Sequence, residues 1–312
     1  MGRRIALFLI AALILGSVGF AIYSRFTASP AREIVEEPVL QPTNKALPTS
    51  EEFARLAEED PVGMFEACLR RFERDGIKGV TATLEKQERV EGDLHERELL
   101  RLAVAGELPE HPGEHAKIRV RMIWDSGFRK VFGVRTLGTI YPNPDTNDRN
   151  EMKAYTSIHI SKSIGTRDSL SRSASRYSIA DAGIYRGMLR TYDAWKKRQA
   201  AGELHAQYLG MQSPKELGGR VCHVIRRTCT IPEVDSYAMD EVVNPKANPQ
   251  RDGAVEITVY VDTERWLQIG TVLKRADGEL LAEYFFRDVE LSNTELQPDP
   301  FTMEALKAAV KK

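Results

Sequence analysis

The pattern of apolar and polar positions divides the chain into a helical part followed by a longer part made of strands. Apolar residues recur at helical spacing over residues 61–72, and Asp60-Pro61 supplies an N-cap and a favoured first position for that helix. A capping-box pattern, Thr49 with Glu52, starts a helix just before it. From residue 78 onward, short apolar runs alternate with turn formers. They predict strands over residues 80–90, 94–105, 117–124, 128–141, 152–161, 220–231, 255–261, 266–275 and 279–291.

Two more helices are predicted among and after these strands. Ser178 and Asp181 form a capping-box pattern ahead of an apolar stripe over residues 184–195, which Gly202 closes. Asp299-Pro300 starts a short C-terminal helix. Because strands and helices do not alternate as βαβ units, the pattern predicts an antiparallel sheet rather than a parallel one.

The last predicted hairpin is apolar on both faces. Its turn is Asp277-Gly278, a strong signal for a two-residue hairpin loop. The strand that follows carries Leu280, Ala282, Tyr284 and Phe286 on one face and Leu281, Phe285, Val289 and Leu291 on the other. An antiparallel sheet with one face in water keeps that face polar. We therefore expect an apolar layer on each side of this hairpin.

The N-terminus carries a short basic flank and a long uncharged run. Arg3 and Arg4 precede residues 5–24, which as a helix span ~30 Å, the thickness of a bilayer's hydrocarbon core. This length favours an uncleaved signal anchor over residues 1–26, with a cleaved signal peptide as the alternative. With either an anchor or a cleaved signal peptide, we expect the rest of the chain to lie outside the cytoplasm. Residues 27–50 contain four prolines and predict an extended tether, and residues 51–312 form the folded domain.

Composition and motifs disfavour several classes of function. The formal net charge of −1 argues against a general nucleic-acid binder. Nucleophile-elbow, phosphate-loop and H-E-x-x-H motifs are all absent, so we assign no catalytic residue and do not expect an enzyme. A hydrolase that pairs His159 or His205 with a serine is the least favoured alternative, and the Ser-rich run 168–175 is expected to be an exposed loop. Pro-Gly between His111 and His115 disfavours a zinc site, and no cofactor is expected.

Two groups of polar residues are interpreted as structural. Glu85, Glu88 and Glu91 are expected to lie on a solvated strand edge rather than to form an acid–base pair. The three cysteines are expected to be small buried residues, and any disulfide among them is left open; they are Cys68, Cys222 and Cys229.

Positive charge is concentrated in one segment. Residues 162–198 contain nine basic and three acidic residues, which leaves the rest of the chain negative. Basic residues near an anionic membrane leaflet contribute ~1 kcal/mol each. One hypothesis is therefore docking on lipid headgroups, and the alternative is a solvated helix face and loop. The candidate docking residues are Arg167, Arg172, Arg176 and Arg186.

Several segments resemble a known group of proteins. TATLEKQERVEGDLHERELLRLAV at residues 81–104, KIRVRMIW at 117–124 and RYSIADAGIYRGML at 176–189 resemble a bacterial domain-of-unknown-function family related to the outer-membrane lipoprotein carriers (LolA/LolB-like). Residues 259–301 resemble the closing strands of such carriers. The residues at matching places there are Asp262, Asp277, Gly278, Asp288, Asn293 and Phe301. The resemblance extends in outline over residues 60–301.

The resemblance implies an α+β, mainly β fold, in which an antiparallel sheet curls into an incomplete β-barrel with plugging or lid helices. It implies a tethered envelope protein that binds a lipid, acyl chain or lipoprotein in a hydrophobic half-barrel cavity. The expected lining residues are Trp124, Tyr260, Trp266, Leu280, Tyr284 and Phe286. The expected partners are a lipid or lipidated peptide, the inner membrane through residues 5–24, and another envelope protein. The folded domain would then lie in the periplasm, as part of a single-pass protein or free after signal cleavage.

A second interpretation needs no ligand. The helices over residues 61–72 and 184–195 could fill the hollow completely, which would leave a non-catalytic envelope scaffold. An interior without a contiguous apolar cavity of ~300 Å³ or more would favour the scaffold. The carriers shuttle freely, whereas this chain is expected to be anchored, so local extraction or hand-off fits it better.

Overall fold

The computed structural model describes residues 46–109, 116–127, 130–131, 134–235, 237–239 and 249–311. The predicted signal anchor, most of the predicted tether and the His111–His115 loop lie outside the described residues. Within these ranges, none of the helices has the length and apolar character needed to cross a membrane.

The strands in the described part of the chain form one antiparallel sheet. They are β1 Gly79–Val90, β2 Asp93–Leu94, β3 Glu98–Ala105, β4 Arg119–Ser126, β5 Lys130–Val131, β6 Val134–Tyr141, β7 Glu151–Thr156, β8 Ser161–Gly165, β9 His205–Gln212, β10 Cys222–Glu233, β11 Ala254–Asp262, β12 Gln268–Lys274 and β13 Leu280–Ser292. Eleven of them follow the order β8-β7-β6-β4-β3-β1-β13-β12-β11-β10-β9, and β2 pairs with β1 and β5 with β6. The end strands β8 and β9 do not pair with each other, so the sheet is open.

The helices lie before, within and after the strands. They are α1 Ser50–Glu59, α2 Pro61–Arg74, α3 Ser169–Ala174, α4 Ile184–Ala200, α5 Pro249–Asp252 and α6 Met303–Val310, with 3₁₀ helices at Ile179–Asp181 and Lys215–Leu217. The predicted starts of α1 and α2 are confirmed. Thr49 and Glu52 form a reciprocal capping box, and the Asp60 carboxylate accepts a hydrogen bond from the Gly63 backbone N–H.

The sheet curls so that strands near its two ends face one cavity. Lys162 on β8 and Arg227 on β10 both line a cavity of about 780 Å³. In a flat sheet, strands this far apart in the order would be roughly 40 Å from each other. The predicted incomplete antiparallel barrel is therefore confirmed as an open, curled, mainly β sheet.

Helices α2 and α4 fill one part of the inner face. Phe65 of α2 packs edge-on against Trp195 of α4, with ring centroids 5.3 Å apart. The same cluster contains Val80 of β1, Val259 of β11 and Ile269 of β12. The filled part of the inner face lies over β1 and β10–β13.

Parts of the outer face are covered by the C-terminal segment and by a loop. Helix α6 packs Leu306 against Ile123 of β4 and Ile140 of β6. The fit is close at Gly138, because a Cβ there would lie 2.5 Å from the Leu306 Cδ1. The 3₁₀ helix Lys215–Leu217 contacts β13 on this side. The expectation of an apolar layer on each side of the last hairpin is confirmed only in part, because Phe285 is buried on the outer face whereas Tyr284 and Phe286 line a cavity on the inner one.

Two local predictions are corrected, and one strand was not predicted. The run 168–175, expected to be an exposed loop, contains α3, because Asp168 caps it and Ser171 is buried at its centre. The Ser178 capping pattern starts only a 3₁₀ turn, and α4 begins later, after Gly183 at φ +128°. The strand β9 was not predicted, because the alternation of apolar and polar residues in its sequence is interrupted at Leu209-Gly210.

The cysteines are free thiols in the structure. Cys68 and Cys222 are buried, which confirms the interpretation of these two as small core residues, and Cys229 is partly exposed. Burial raises the pKa of the Cys222 thiol to about 12 and that of Cys229 to about 11. Thiols with such pKa values are poor nucleophiles at neutral pH.

Candidate functional site: a buried polar row in an apolar cavity

The cavity lies between the inner face of the sheet and a layer of short segments. Its wall opposite the sheet is formed by α3, by the 3₁₀ helix Ile179–Asp181, by α4 and by residues 233–235. Apolar side chains of both walls include Leu84, Leu102, Met122, Met152, Ile164, Ile179 and Leu273. Its volume of about 780 Å³ is typical of sites for small molecules and cofactors. The helices therefore do not fill the hollow completely.

The structure brings three of the six predicted lining residues together. Trp124 of β4 and Tyr284 and Phe286 of β13 line the cavity. These three come from strands that are separated in the sheet only by β3 and β1. Their role in binding a ligand stays a prediction.

The other three predicted lining residues lie elsewhere. Tyr260 on β11 and Phe285 on β13 pair with the same residue of β12, so both side chains lie on the outer face. Their rings are 6.1 Å apart. Trp266 is buried in the turn before β12 and stacks on Phe53 of α1 at 4.1 Å. Leu280 does not reach the cavity, whereas Leu281 does, because a register shift follows the β12–β13 turn. A one-residue slip moves a side chain to the other face of a sheet.

The four candidate docking arginines bind groups of the protein itself. Arg176 is 4% exposed and donates to the backbone carbonyls of Arg89 and Asp252, both at 3.2 Å. The remaining three arginines contact the segment around α3 and the start of α4. Their contacts are Arg167 with Asp181 at 2.9 Å, Arg172 with the Arg167 carbonyl at 3.0 Å and Arg186 with the Ala180 carbonyl at 3.1 Å. Arg176 was expected to face lipid headgroups, and this expectation is wrong, because the residue lies inside the fold.

A row of hydrogen-bonded polar side chains crosses four adjacent strands on the cavity wall. The Trp124 Nε1–H donates to Glu98 Oε2 at 2.7 Å, and Lys86 Nζ lies 3.7 Å from the same oxygen. Lys86 Nζ also donates to Glu88 Oε2 at 2.7 Å. The Tyr284 hydroxyl donates to Glu88 Oε1 at 2.6 Å. We call Lys86, Glu88, Glu98, Trp124 and Tyr284 the polar row.

The pairing of neighbouring strands brings the side chains of the polar row next to one another. Lys86 is directly opposite Glu98 on one neighbouring strand and opposite Tyr284 on the other. Ser175, at the end of α3, closes the row from the opposite wall: its Oγ donates to Glu88 Oε2 at 2.8 Å and lies 3.2 Å from Lys86 Nζ. The two walls of the cavity are thereby joined at this point.

Burial and mutual contacts set the charge states of the row. Burial acts to raise the pKa of Glu88, but the Lys86 charge and the hydrogen bonds from Lys86, Tyr284 and Ser175 outweigh it, so this pKa lies below its usual value. Burial, followed by the nearby negative charge of Glu88, holds the pKa of the Tyr284 hydroxyl well above its usual value. At neutral pH, Glu88 is therefore an anion that accepts a hydrogen bond from a neutral Tyr284.

The interpretation of Glu88 as a residue on a solvated strand edge is wrong. β1 lies in the middle of the sheet, between β3 and β13, and Glu88 is buried. Glu85 lies on the opposite, outer face, where it pairs with Arg97 at 2.9 Å. The alternation itself contained a signal, because Lys86 and Glu88 continue the face that Ala82 and Leu84 begin.

The histidines considered as catalytic bases are not at this site. His159 is exposed and its Nδ1 lies 2.9 Å from the Tyr155 hydroxyl, and His205 is exposed on β9. Among the described residues, no group of three or more His, Cys, Asp or Glu side chains is arranged to hold a metal ion.

Comparisons with known proteins found similar folds but no family assignment. No protein-family model matches the chain, and no curated protein matches it. The solved structure of MucB is 12% identical, with a TM-score of 0.42, over 77% of this chain and 62% of MucB. A DUF1329 family protein from Desulfovibrio piger is 12% identical, with a TM-score of 0.33, over 79% of this chain and 99% of that one.

A LolA superfamily protein from Nitrosomonas europaea is also similar in structure. It is 10% identical, with a TM-score of 0.25, over 77% of this chain and 97% of that one. The solved structures similar to this chain thus include a LolA superfamily protein and a protein of a domain-of-unknown-function family.

Proposed function

We propose that this chain binds a lipid, an acyl chain or a lipidated peptide in its cavity, as an envelope protein held at the inner membrane by residues 1–26. One observation carries the proposal: the curled sheet leaves a cavity of about 780 Å³ with a largely apolar lining. Each methylene moved from water into such a space contributes ~0.8 kcal/mol. A long acyl chain then gains about 10 kcal/mol before the cost of ordering it.

The same observation favours binding over a filled scaffold. A scaffold needs no unfilled interior, yet this cavity is larger than the ~300 Å³ lower limit of ligand sites. The uncharged run at residues 5–24 supports a tethered protein, and a tether limits the reach of the domain. We therefore propose local extraction or hand-off of the ligand rather than free shuttling.

Filling the cavity with a side chain tests this proposal. Gly187 lies on α4, lines the cavity, and has no atom within 4 Å of an added Cβ. We expect Gly187→Trp to fold and to weaken saturable uptake of a fluorescent fatty acid by the delipidated full chain at least about tenfold, a loss of ~1.4 kcal/mol.

Ala200→Trp is the matched control, because Ala200 is exposed at the end of the same helix and does not line the cavity. Its uptake should equal that of the unaltered chain. Absence of saturable uptake by the unaltered chain, or equal uptake by both variants, would contradict the proposal.

A further inference from the structure

We propose that the β7–β8 hairpin docks on the bilayer that holds residues 5–24, so that the mouth of the cavity opens at the lipid surface. This inference rests on the proposed function and names the surface from which the ligand enters. Three features support it: the side chains at the mouth, the contacts that hold the hairpin, and the length of the tether.

The mouth of the cavity is marked by those lining residues that are exposed to solvent. In the described part of the chain they are Ile158, Ile160 and Lys162 of the β7–β8 hairpin and Ala194 and Lys197 of α4. Each of the five is apolar or basic. The cavity therefore opens between this hairpin and the second half of α4.

Two large apolar side chains stand on the hairpin at this mouth. Ile158 is 56% exposed and Ile160 is 57% exposed. Among the large apolar side chains exposed in the described ranges, these two alone line the cavity. Tight loops are usually built from Gly, Pro, Asn, Asp and Ser, so the loop itself does not require isoleucine. Exposed apolar side chains that continue an apolar cavity indicate an interaction surface.

The loop of the hairpin has a defined conformation in spite of its exposure. The Thr156 backbone N–H donates to the Ile160 carbonyl at 3.1 Å, and the Ile160 N–H donates to Thr156 Oγ1 at 3.3 Å. The Ser157 N–H donates to the carbonyl of Arg135 on β6 at 2.8 Å. These bonds hold Ile158 and Ile160 at the mouth without burying them.

The charges at the mouth suit an anionic lipid surface. Lys162 follows Ile160 by two positions, and residues 152–167 contain no aspartate or glutamate. Lys197 on the facing helix forms an ion pair with Asp193 at 2.7 Å. The exposed acidic residues of the β1–β2 and β12–β13 turns are separated from β8 by at least four strands in the order of the sheet. Lysine beside bulky apolar residues is typical of elements that lie in a membrane interface.

The tether allows the mouth to reach the bilayer. Residues 25–45, between the uncharged run and the described domain, span up to about 65 Å when extended. A compact domain of the size of residues 51–312 is about 50 Å across. Tethering also keeps the local concentration of bilayer high, so a weak contact through two side chains suffices. This effect favours the bilayer over a freely diffusing protein partner.

Docking at this mouth gives an acyl chain a route that avoids water. A chain leaving the bilayer would first meet Ile158 and Ile160, and then Met152 and Ile164, which pair with each other further along the same two strands and line the cavity. Apolar surface that stays out of water along the route keeps the transfer from opposing the hydrophobic effect.

The test determines which side of the domain touches lipid. The full chain carrying Ile158→Trp is reconstituted in vesicles of phosphatidylcholine and phosphatidylglycerol, with or without brominated acyl chains. The signal of the unaltered chain, which has three tryptophans, is subtracted. We expect bromine to quench the added fluorescence at least about threefold more than in the control Met211→Trp. Met211 is 65% exposed on β9, the other edge strand, and does not line the cavity.

Three further changes in the Ile158→Trp chain separate docking from a lipid held inside the cavity. Gly187→Phe narrows the cavity and should leave the quenching within about twofold, because docking does not require the cavity. Ile160→Glu adds a carboxylate to the hairpin and should reduce the quenching at least about threefold. Its control, Val221→Glu, is exposed outside the cavity lining and should leave the quenching unchanged. The substituted side chains are exposed or face the cavity, so the variants should fold.

The outcomes separate this inference from the proposed function. Equal quenching in Ile158→Trp and Met211→Trp, stronger quenching in Met211→Trp, or none in either overturns the docking surface; the last result would leave the hairpin to water or to a protein partner. Unchanged quenching on adding Ile160→Glu also overturns it. Loss of quenching on adding Gly187→Phe overturns docking but supports the cavity, because the quencher would then be a lipid bound inside. Fatty-acid uptake by the unaltered chain decides the proposed function separately.

Discussion

The inner face of the curled sheet is closely packed in one region and borders a cavity in another. Over parts of β1 and β10–β13, helices α2 and α4 cover it with a close-packed apolar cluster. Over β3, β4 and β6–β8, and over other parts of β1 and β10–β13, the opposing segments stand off and leave the cavity. The polar row crosses this cavity on β4, β3, β1 and β13. Helix α4 separates the two regions, because Ile184 and Trp195 belong both to the packed cluster and to the cavity wall.

The difference shows how a small set of elements supports both stability and a binding site. Long apolar stripes on α2 and α4 provide the packing of the filled region. The cavity is opposed by α3, which carries serine and arginine, and by a 3₁₀ helix. Polar contacts, such as that of Ser175 at the end of α3 with Glu88, hold this layer to the sheet. Substitutions should therefore have different consequences in the two regions.

The largest effect is expected in the filled region. Phe65→Ala removes a fully buried ring that packs on Trp195, and should lower the free energy of unfolding by about 3–5 kcal/mol. Met122→Ala removes a side chain that already faces the cavity, and should cost only about 1 kcal/mol. Urea denaturation of both variants measures the difference. Similar losses would show that the cavity wall is packed as tightly as the filled region.

The buried acid Glu107 contacts the start of α4 and should make the stability of the fold depend on pH. Burial raises the pKa of Glu107 to about 7, even though its Oε1 accepts the Arg186 backbone N–H at 3.2 Å. A folded-state pKa above the unfolded value of 4.5 means that the folded state holds the proton more tightly. The free energy of unfolding should therefore fall as pH rises from about 4.5 to about 7, by roughly 3 kcal/mol.

Glu107→Gln isolates this contribution, because its side chain cannot ionise and keeps an acceptor for the helix N-terminus. As pH rises from 4.5 to about 7, the variant should become more stable relative to the unaltered chain. Above about pH 7 the difference in the free energy of unfolding should stay constant. Parallel urea denaturation series at several pH values measure it. A difference that does not change with pH would show that Glu107 is ionised without penalty.

The smallest effects are expected from single polar contacts, and they should differ between the two faces of β1. Tyr284→Phe leaves buried Glu88 without one of its donors, and should cost about 1–2 kcal/mol. Glu85→Gln on the outer face removes ion pairs with Arg97 and Arg287, and should cost at most about 1 kcal/mol. Thermal unfolding at one pH ranks the two variants. A larger loss for Glu85→Gln would reverse the assignment of the buried and the solvated face.

The parts of the fold that depend on neighbouring residues were predictable from sequence. A hairpin turn forms around Asp277-Gly278, with Gly278 at φ +81°, but its loop has three residues, 276–278, rather than the predicted two, because Arg275 and Glu279 form the closing pair. The caps at Thr49 and Asp60 also form. Predictions failed where tertiary contacts compete with a local pattern: Trp266 was expected at the cavity but stacks on Phe53 of a helix remote in sequence. Arg176 was expected at the surface but is buried against backbone carbonyls.

The sequence by itself determined the helix starts, the final hairpin and the need for apolar cover on both of its faces, because residues close together in the chain decide each of these. Only the tertiary structure decided that Lys86, Glu98 and Tyr284 meet, since they lie on three strands whose register depends on the whole sheet. It also decided that the hollow is only partly filled. Filling depends on how far the sheet curls and where α2 and α4 come to lie, and both follow from the summed packing of many distant residues.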